Sequence, residues 1–198
     1  MKKILISPLI KKNKFNDLLF SVENNWYKFF RKKNINLITF SPNAKLIKND
    51  ITSVILPGGN DLTKFLNSKE NIMRKKNDLK ILKYALKKNI PILAVCYGFQ
   101  LIAEKYGSNI IKIKNHIKKT HLLSFNLNEY KKIYVNSFHN YGVFKLPRFF
   151  NKIIRYKDGS IEFASSKKKK IMCMMFHPER SISNKSYIKN LINKHLEL

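Results

Sequence analysis

Cysteine, arginine, tryptophan, glycine and proline are all scarce in this chain of 198 residues. Its two cysteines, Cys96 and Cys173, are too few for a disulfide framework or a four-ligand zinc module, which points to a reducing, cytoplasmic compartment. Six glycines and six prolines leave no linker and no repeat that would divide the chain, so residues 1–198 are expected to form a single domain with a sizeable core. Long apolar runs are missing too. The stretch from Ile90 to Ala103 has 14 residues without a charge but contains Pro91 and Gly98, and it falls short of the roughly 18 that a spanning helix needs. The opening apolar run, Ile4 to Ile10, is interrupted by Pro8, meets Lys11 and Lys12 and has no small-residue cleavage site, so it reads as a first strand rather than a leader.

Acidic residues are few: 12 stand against 40 basic ones, a net charge of +28. Such a field favours anionic ligands and attracts nucleic acid without specificity. Only five of the 40 are arginine, and no motif sets them among aromatics, so specific nucleic-acid recognition is not expected as the main function. Lysine, isoleucine and asparagine make up 83 of the 198 residues, so part of the charge is compositional.

What is present is an alternation of strand and helix patterns. Lys3–Ser7, Asn34–Phe40 and Ile51–Leu56 read as strands, and Phe15, Leu18, Leu19, Val22, Trp26, Phe29 and Phe30 recur at three and four, predicting a helix over 15–30. Ile72, Leu79, Leu82 and Leu86 mark a second helix. Ile90–Val95 is a continuous apolar run suited to a strand covered on both faces, and it leads into a helix through Phe99, Ile102, Ala103 and Tyr106 that Gly107 closes. This order predicts an α/β fold with a mostly parallel sheet. Shorter strands follow at 110–113, 122–125, 132–135, 153–156, 161–164 and 171–175, with an Asp158-Gly159 hairpin turn and a closing helix over 181–198.

Cys96 stands where a buried strand turns into a helix, with Gly98 two residues on. That is the setting of a nucleophile elbow, exposed at the sheet's carboxyl end and at a helix N-terminus that favours a thiolate. A cysteine nucleophile needs a base, and the base needs an acceptor to fix its tautomer; His177 and Glu179 offer both in Phe176-His177-Pro178-Glu179.

Cys96-Tyr97-Gly98-Phe99-Gln100 and His177-Pro178-Glu179 resemble the elbow and the His-x-Glu of class I glutamine amidotransferases. Leu56-Pro57-Gly58-Gly59-Asn60-Asp61-Leu62, Val135-Asn136-Ser137-Phe138-His139-Asn140, the His116/His121 loop and Asp158-Gly159-Ser160-Ile161-Glu162 are similar to that family's γ-glutamyl hydrolase branch, over residues 3 to 183. The resemblance implies a flavodoxin-like sheet with helices on both faces and a few extra antiparallel strands. It implies a Cys96, His177, Glu179 triad, an oxyanion hole from the amides of Gly59 and Tyr97, and a glutamyl pocket from Gly58, Gln100, Asn136, Ser137, Phe138 and His139. Neither a cofactor nor a membrane partner is implied. The Trp26-Tyr27-x-Phe29 segment and the short length are similar to hydrolases of surface-polysaccharide gene clusters, implying an anionic γ-glutamyl nucleotide phosphoramidate as substrate. Tyr97 departs from the branch, which often has arginine there, and favours the alternative of a glutaminase subunit that feeds ammonia to a synthase; an inactive binding module is the third reading. Lys75 stands where an acidic residue is usual, which weakens a substrate role for the Arg74-Lys75 helix.

The other histidines carry expectations of their own. His139 is placed to line the pocket, the roles of His116 and His121 stay open, and His195 is expected to be exposed. Cysteine and histidine spacings match no metal-ligand pattern, so no metal is expected. Cys173 reads as core.

Overall fold

A computed structural model of the chain describes residues 1–31, 34–42, 50–127 and 130–198. In β1 (Lys2–Ile6) side chains alternate across the sheet, so that Ile4 and Ile6 enter one apolar cluster and Leu5 the other. β2 (Leu9–Lys12) and β3 (Leu18–Ser21) then form a small antiparallel hairpin, followed by α1 (Asn24–Phe30). Of the helix predicted over 15–30, only Asn24–Phe30 is helical, while Leu18–Ser21 is strand. Asn13 Oδ1 accepts from the amides of Phe15 and Asp17, and Asn16 takes a left-handed φ of 66°, a turn that overrides the three-and-four spacing of Phe15, Leu18 and Leu19.

β4 (Ile35–Thr39), β5 (Ile51–Leu56), α2 (Lys69–Lys88), β6 (Ile92–Val95) and α3 (Tyr97–Lys105) fall where the apolar runs place them. α2 begins at Ser68, whose side chain accepts from the Asn71 amide, and ends at Asn89 with φ 51°. β7 (Ile110–Lys112) pairs with β10 (Tyr141–Val143), enclosing the long hairpin of β8 (Ile117–Asn126) and β9 (Tyr130–Phe138). The hairpin strands reach beyond 122–125 and 132–135 because their other face is exposed and carries lysine and tyrosine instead of an apolar run. β11 (Lys152–Arg155), β12 (Ile161–Ser166), β13 (Ile171–Met174) and α4 (Lys185–His195) complete the chain.

The seven-stranded sheet has the order β11-β12-β13-β6-β5-β1-β4, with β13, β6, β5, β1 and β4 parallel and β12 antiparallel to both its neighbours. Counting the parallel strands alone, this is the 2-1-3-4-5 order of flavodoxin-like folds. On one face α2 and α3 bury Ile81, Leu82, Phe99 and Ile102 with Leu56, Ala94 and Cys173. On the other, Trp26, Phe29, Ile188 and Ile192 join Phe125 and Val135 of the hairpin over Val95 and Met174. Cys173 is core as expected, and burial pushes its thiol well above the usual range. Among the described residues no helix is long and apolar enough to cross a membrane.

Candidate active site

Register decides what meets at the carboxyl edge of the sheet. Val95 pairs with Met174 and Ala94 with Leu56, so the residues that follow β6, β13 and β5 emerge side by side. These are Cys96, the segment leading to His177, and Pro57-Gly58-Gly59.

Cys96 has φ 50° and ψ −105°, a conformation that side-chain-bearing residues rarely adopt and that the surroundings must hold. Its amide donates to Met174 O at 2.8 Å, and its carbonyl accepts from the Gln100 amide at 3.0 Å. A Cβ on Gly98 would lie 2.0 Å from the Leu56 carbonyl oxygen, so only glycine lets α3 start this close to β5. Gly58 is constrained from the other side: its Cβ would sit 2.6 Å from His177 Cε1 and 3.3 Å from Cys96 Cβ.

The His177 ring lies beside Cys96 across Gly58, and its Nδ1 donates to Glu179 Oε1 at 2.6 Å. Burial alone would lower its pKa, but the Cys96 and Glu179 partners outweigh it and push the imidazole up to about 10. Asn136 grips the same residue by its backbone, accepting from the His177 amide and donating to its carbonyl, both at 2.9 Å, with a further bond to Ser181 O at 3.0 Å.

An open cleft of about 180 Å³ lies over Cys96, lined also by Gly59, Asn60, Asp61, Gln100, Phe138, His139, Tyr141, His177 and Arg180. Gln100 donates to Tyr141 O at 3.0 Å across its floor. Two residues expected to contact substrate are turned into the protein instead. The amide of Asn136 is fully used on His177 and Ser181, and Ser137, on the buried face of β9 with Ile133 and Val135, donates through Oγ to His116 O at 2.6 Å. Arg180 also reaches the cleft wall, and its place directly after Glu179 is the one signal of it in the sequence. Its guanidinium sits 4.9 Å over the Phe138 ring and 2.8 Å from Glu23 Oε1.

Arg74 lies behind the site and is fully buried. It donates to Asp78 Oδ2 at 3.0 Å and to the carbonyls of Pro8 and Pro57 at 2.9 Å each, and Ser7 donates to the other Asp78 oxygen. Tyr97 faces this group, its ring 5.1 Å from the guanidinium, so the side chain after Cys96 does not enter the cleft. The Arg74 and Asp78 pair at i, i+4 was the legible signal of this network.

His116 and His121 are buried, not loop surface, and they meet His139 and Glu162 in a cluster that could hold a metal ion. No regular spacing announces it. His195, expected to be exposed, is half-buried, its Nε2 donating to Ile92 O at 2.9 Å.

The family model for "Glutamine amidotransferase class-I" matches residues 15–194. The chain belongs to this family. It is 34% identical over 164 residues, 79% of this chain and 78% of the other, to the γ-glutamyl-CDP-amidate hydrolase of Campylobacter jejuni subsp. jejuni serotype O:2. It is 29% identical over 162 residues, 75% of this chain and 29% of the other, to the glutamine-hydrolysing GMP synthase of Ehrlichia ruminantium. A glutamine amidotransferase structure from Thermotoga maritima superposes with a TM-score of 0.66 at 19% identity, covering 98% of this chain and 85% of that one. This class I amidotransferase is accordingly a hydrolase acting on an amide bond, and its sheet is the flavodoxin-like one that the motifs implied.

Proposed function

We propose that this amidotransferase-family enzyme hydrolyses a γ-glutamyl amide through Cys96, His177 and Glu179. The observation that carries this reading is the strained Cys96 backbone beside an imidazole that is itself fixed by Glu179 at 2.6 Å. The Cys96 thiolate attacks the γ-carbonyl carbon, and the amides of Gly59 and Tyr97 receive the oxyanion. Protonated His177 gives its proton to the departing nitrogen as the C–N bond breaks, leaving a γ-glutamyl thioester on Sγ. Water then attacks the thioester, His177 takes its proton, and glutamate leaves with the thiolate restored. Gln100, Phe138 and His139 border the glutamyl end.

A cleft of about 180 Å³ suits a glutamyl group and leaves a large leaving group outside, since sites that enclose whole drug-sized ligands begin at roughly 300 Å³. The leaving group we infer is a cytidine diphosphoramidate, the substrate being γ-glutamyl-CDP-amidate in cytoplasmic assembly of a capsule polysaccharide. The named relative with 34% identity supports it, and so do the net charge of +28 and Arg180 at the cleft wall. The glutaminase-subunit reading drew on Tyr97, and that support weakens because the side chain is buried against Arg74.

The test is kcat/KM for γ-glutamyl-CDP-amidate, a neutral γ-glutamyl anilide and glutamine, each at low and high ionic strength. The nucleotide conjugate is expected to be fastest and most salt-sensitive, because surface fields reach only about 8 Å at physiological salt. Best activity on glutamine, or activity that needs an added synthase, overturns the hydrolase reading.

A further inference from the structure

Beside the cleft, and sharing His139 with its wall, the structure gathers three histidines and a glutamate from three parts of the chain. His116 precedes β8, His121 lies within it, His139 follows β9, and Glu162 is on β12 of the central sheet. All four are buried, and one nitrogen or oxygen from each falls within 4.8 Å of the others. We propose that His116, His121, His139 and Glu162 form a closed four-coordinate site for a divalent cation of the zinc type, which fastens the β8–β9 hairpin to the central sheet.

The distances fit such an ion. Glu162 Oε1 stands 3.3 Å from His121 Nδ1, 3.4 Å from His139 Nε2 and 3.7 Å from His116 Nδ1. Ligands bound to tetrahedral zinc at 2.0–2.1 Å are about 3.3 Å apart, so the glutamate already lies near tetrahedral spacing from two of its neighbours. Yet none of these contacts is a hydrogen bond. Both Glu162 oxygens, both His121 nitrogens, His116 Nδ1 and His139 Nε2 are buried without a hydrogen-bond partner among the described residues. Converging polar atoms left unpaired in an interior form a donor set that a bound cation would balance.

The outer contacts fix which nitrogens point inward. His116 Nε2 donates to Asp158 Oδ2 at 2.8 Å, and His139 Nδ1 donates to Tyr141 O at 3.2 Å. Those outer contacts leave His116 Nδ1 and His139 Nε2 as the ring atoms that face the Glu162 carboxylate. A cation placed between these atoms and the carboxylate would be held by all of them. A carboxylate or backbone carbonyl behind each ligating histidine is the usual support of a zinc site. Tyr156 stacks on His121 at 3.8 Å between ring centres and closes one wall. Three imidazoles and a carboxylate suit zinc, and four protein ligands without an open position mark a structural rather than a water-activating site.

The consequence reaches the cleft, because the clamped segment carries Asn136, which holds the His177 backbone. The metal site itself does not depend on which substrate is cleaved, so its test is separate from that of the proposed function.

The experiment is metal analysis of the full chain, produced with zinc or with cobalt and dialysed extensively, together with its visible spectrum and melting temperature. One metal ion per chain is expected, with the intense visible bands of four-coordinate cobalt(II) and a melting temperature that falls when a strong chelator strips the ion. His121→Ala and Glu162→Gln should each lower metal content at least tenfold, while Cys96→Ala keeps it, which rules out binding between Cys96 and His177. If both cluster variants fail to fold, the wild-type cobalt spectrum decides: four-coordinate bands support the site, and weak six-coordinate bands or none overturn it. A folded wild-type chain that carries no metal and whose melting temperature ignores added zinc also overturns it, as does metal that survives in His121→Ala but is lost in Cys96→Ala.

Discussion

Asn136 and His177 are joined by two hydrogen bonds of 2.9 Å, one to the amide and one to the carbonyl of the histidine. The base of the candidate triad thus takes its position from the β8–β9 hairpin as well as from β13, which precedes it. The peptide of a residue that must meet both Cys96 and Glu179 is held from outside its own strand. Small displacements of such a group cost rate out of proportion to their size.

Asn136→Ala is therefore expected to lower kcat on the order of 10- to 100-fold with a smaller change in KM, since its side chain does not line the cleft. Steady-state kinetics on any cleaved γ-glutamyl amide reads this out. A KM effect with unchanged kcat would return Asn136 to the substrate-binding role that the motif suggested.

The two free cysteines should differ sharply in chemistry. Cys96 adjoins an imidazole at the start of α3, whereas Cys173 is fully buried and its thiol is pushed well up by that burial. An electrophilic glutamine analogue should modify Cys96 alone, as read by intact mass and peptide mapping. Cys96→Ala should abolish hydrolysis and Cys173→Ala should keep it. Equal labelling of both in the folded chain would count against Cys96 as the nucleophile.

The pH profile follows from His177. Its pKa is raised, to about 10, so the ring stays protonated through neutral pH and loses its proton only as pH rises through that value. A proton donor to the leaving nitrogen should give kcat/KM an alkaline limb near pH 10. Glu179 is one of the partners that raise this pKa, so Glu179→Gln should move the limb to lower pH and reduce kcat, while His177→Ala should lose several orders of magnitude. An alkaline limb that stays in place in Glu179→Gln would refute the coupling.

Behind the site, Arg74 and Asp78 form an ion pair with no exposed surface. Removing one partner strands a buried charge, so Arg74→Met should destabilise the chain by about 3–5 kcal/mol, measured by urea unfolding. Burial raises the pKa of Asp78 and Arg74 opposes that rise, so the carboxyl should take up a proton more readily in the variant. A loss below about 1 kcal/mol would mean that the carbonyls of Pro8 and Pro57 do not need the guanidinium.

Local patterns made much of this protein legible. The continuous run before Cys96, the Pro57-Gly58-Gly59 turn and His177-Pro178-Glu179 each lie within a few neighbouring residues, and each reports a strand end whose geometry is set by the chain on either side. Parallel order followed from the alternation of strand and helix, and Asp158-Gly159 does form the turn between β11 and β12, with Gly159 at φ 87°. Local pattern misled over 15–30, where apolar spacing resembles a helix but one asparagine side chain takes two backbone amides and makes a hairpin.

What the sequence by itself determined was therefore the set of strand ends and the residue types standing on them. Tertiary structure alone decided which of those residues share a site, because that depends on register between strands far apart in the chain. Val95 opposite Met174 puts Cys96 beside the His177 segment, and β9 opposite β8 turns Asn136 toward the base. Four residues at positions 116, 121, 139 and 162 have no period in common; they meet because the hairpin folds back onto the sheet, bringing three imidazoles to one buried carboxylate.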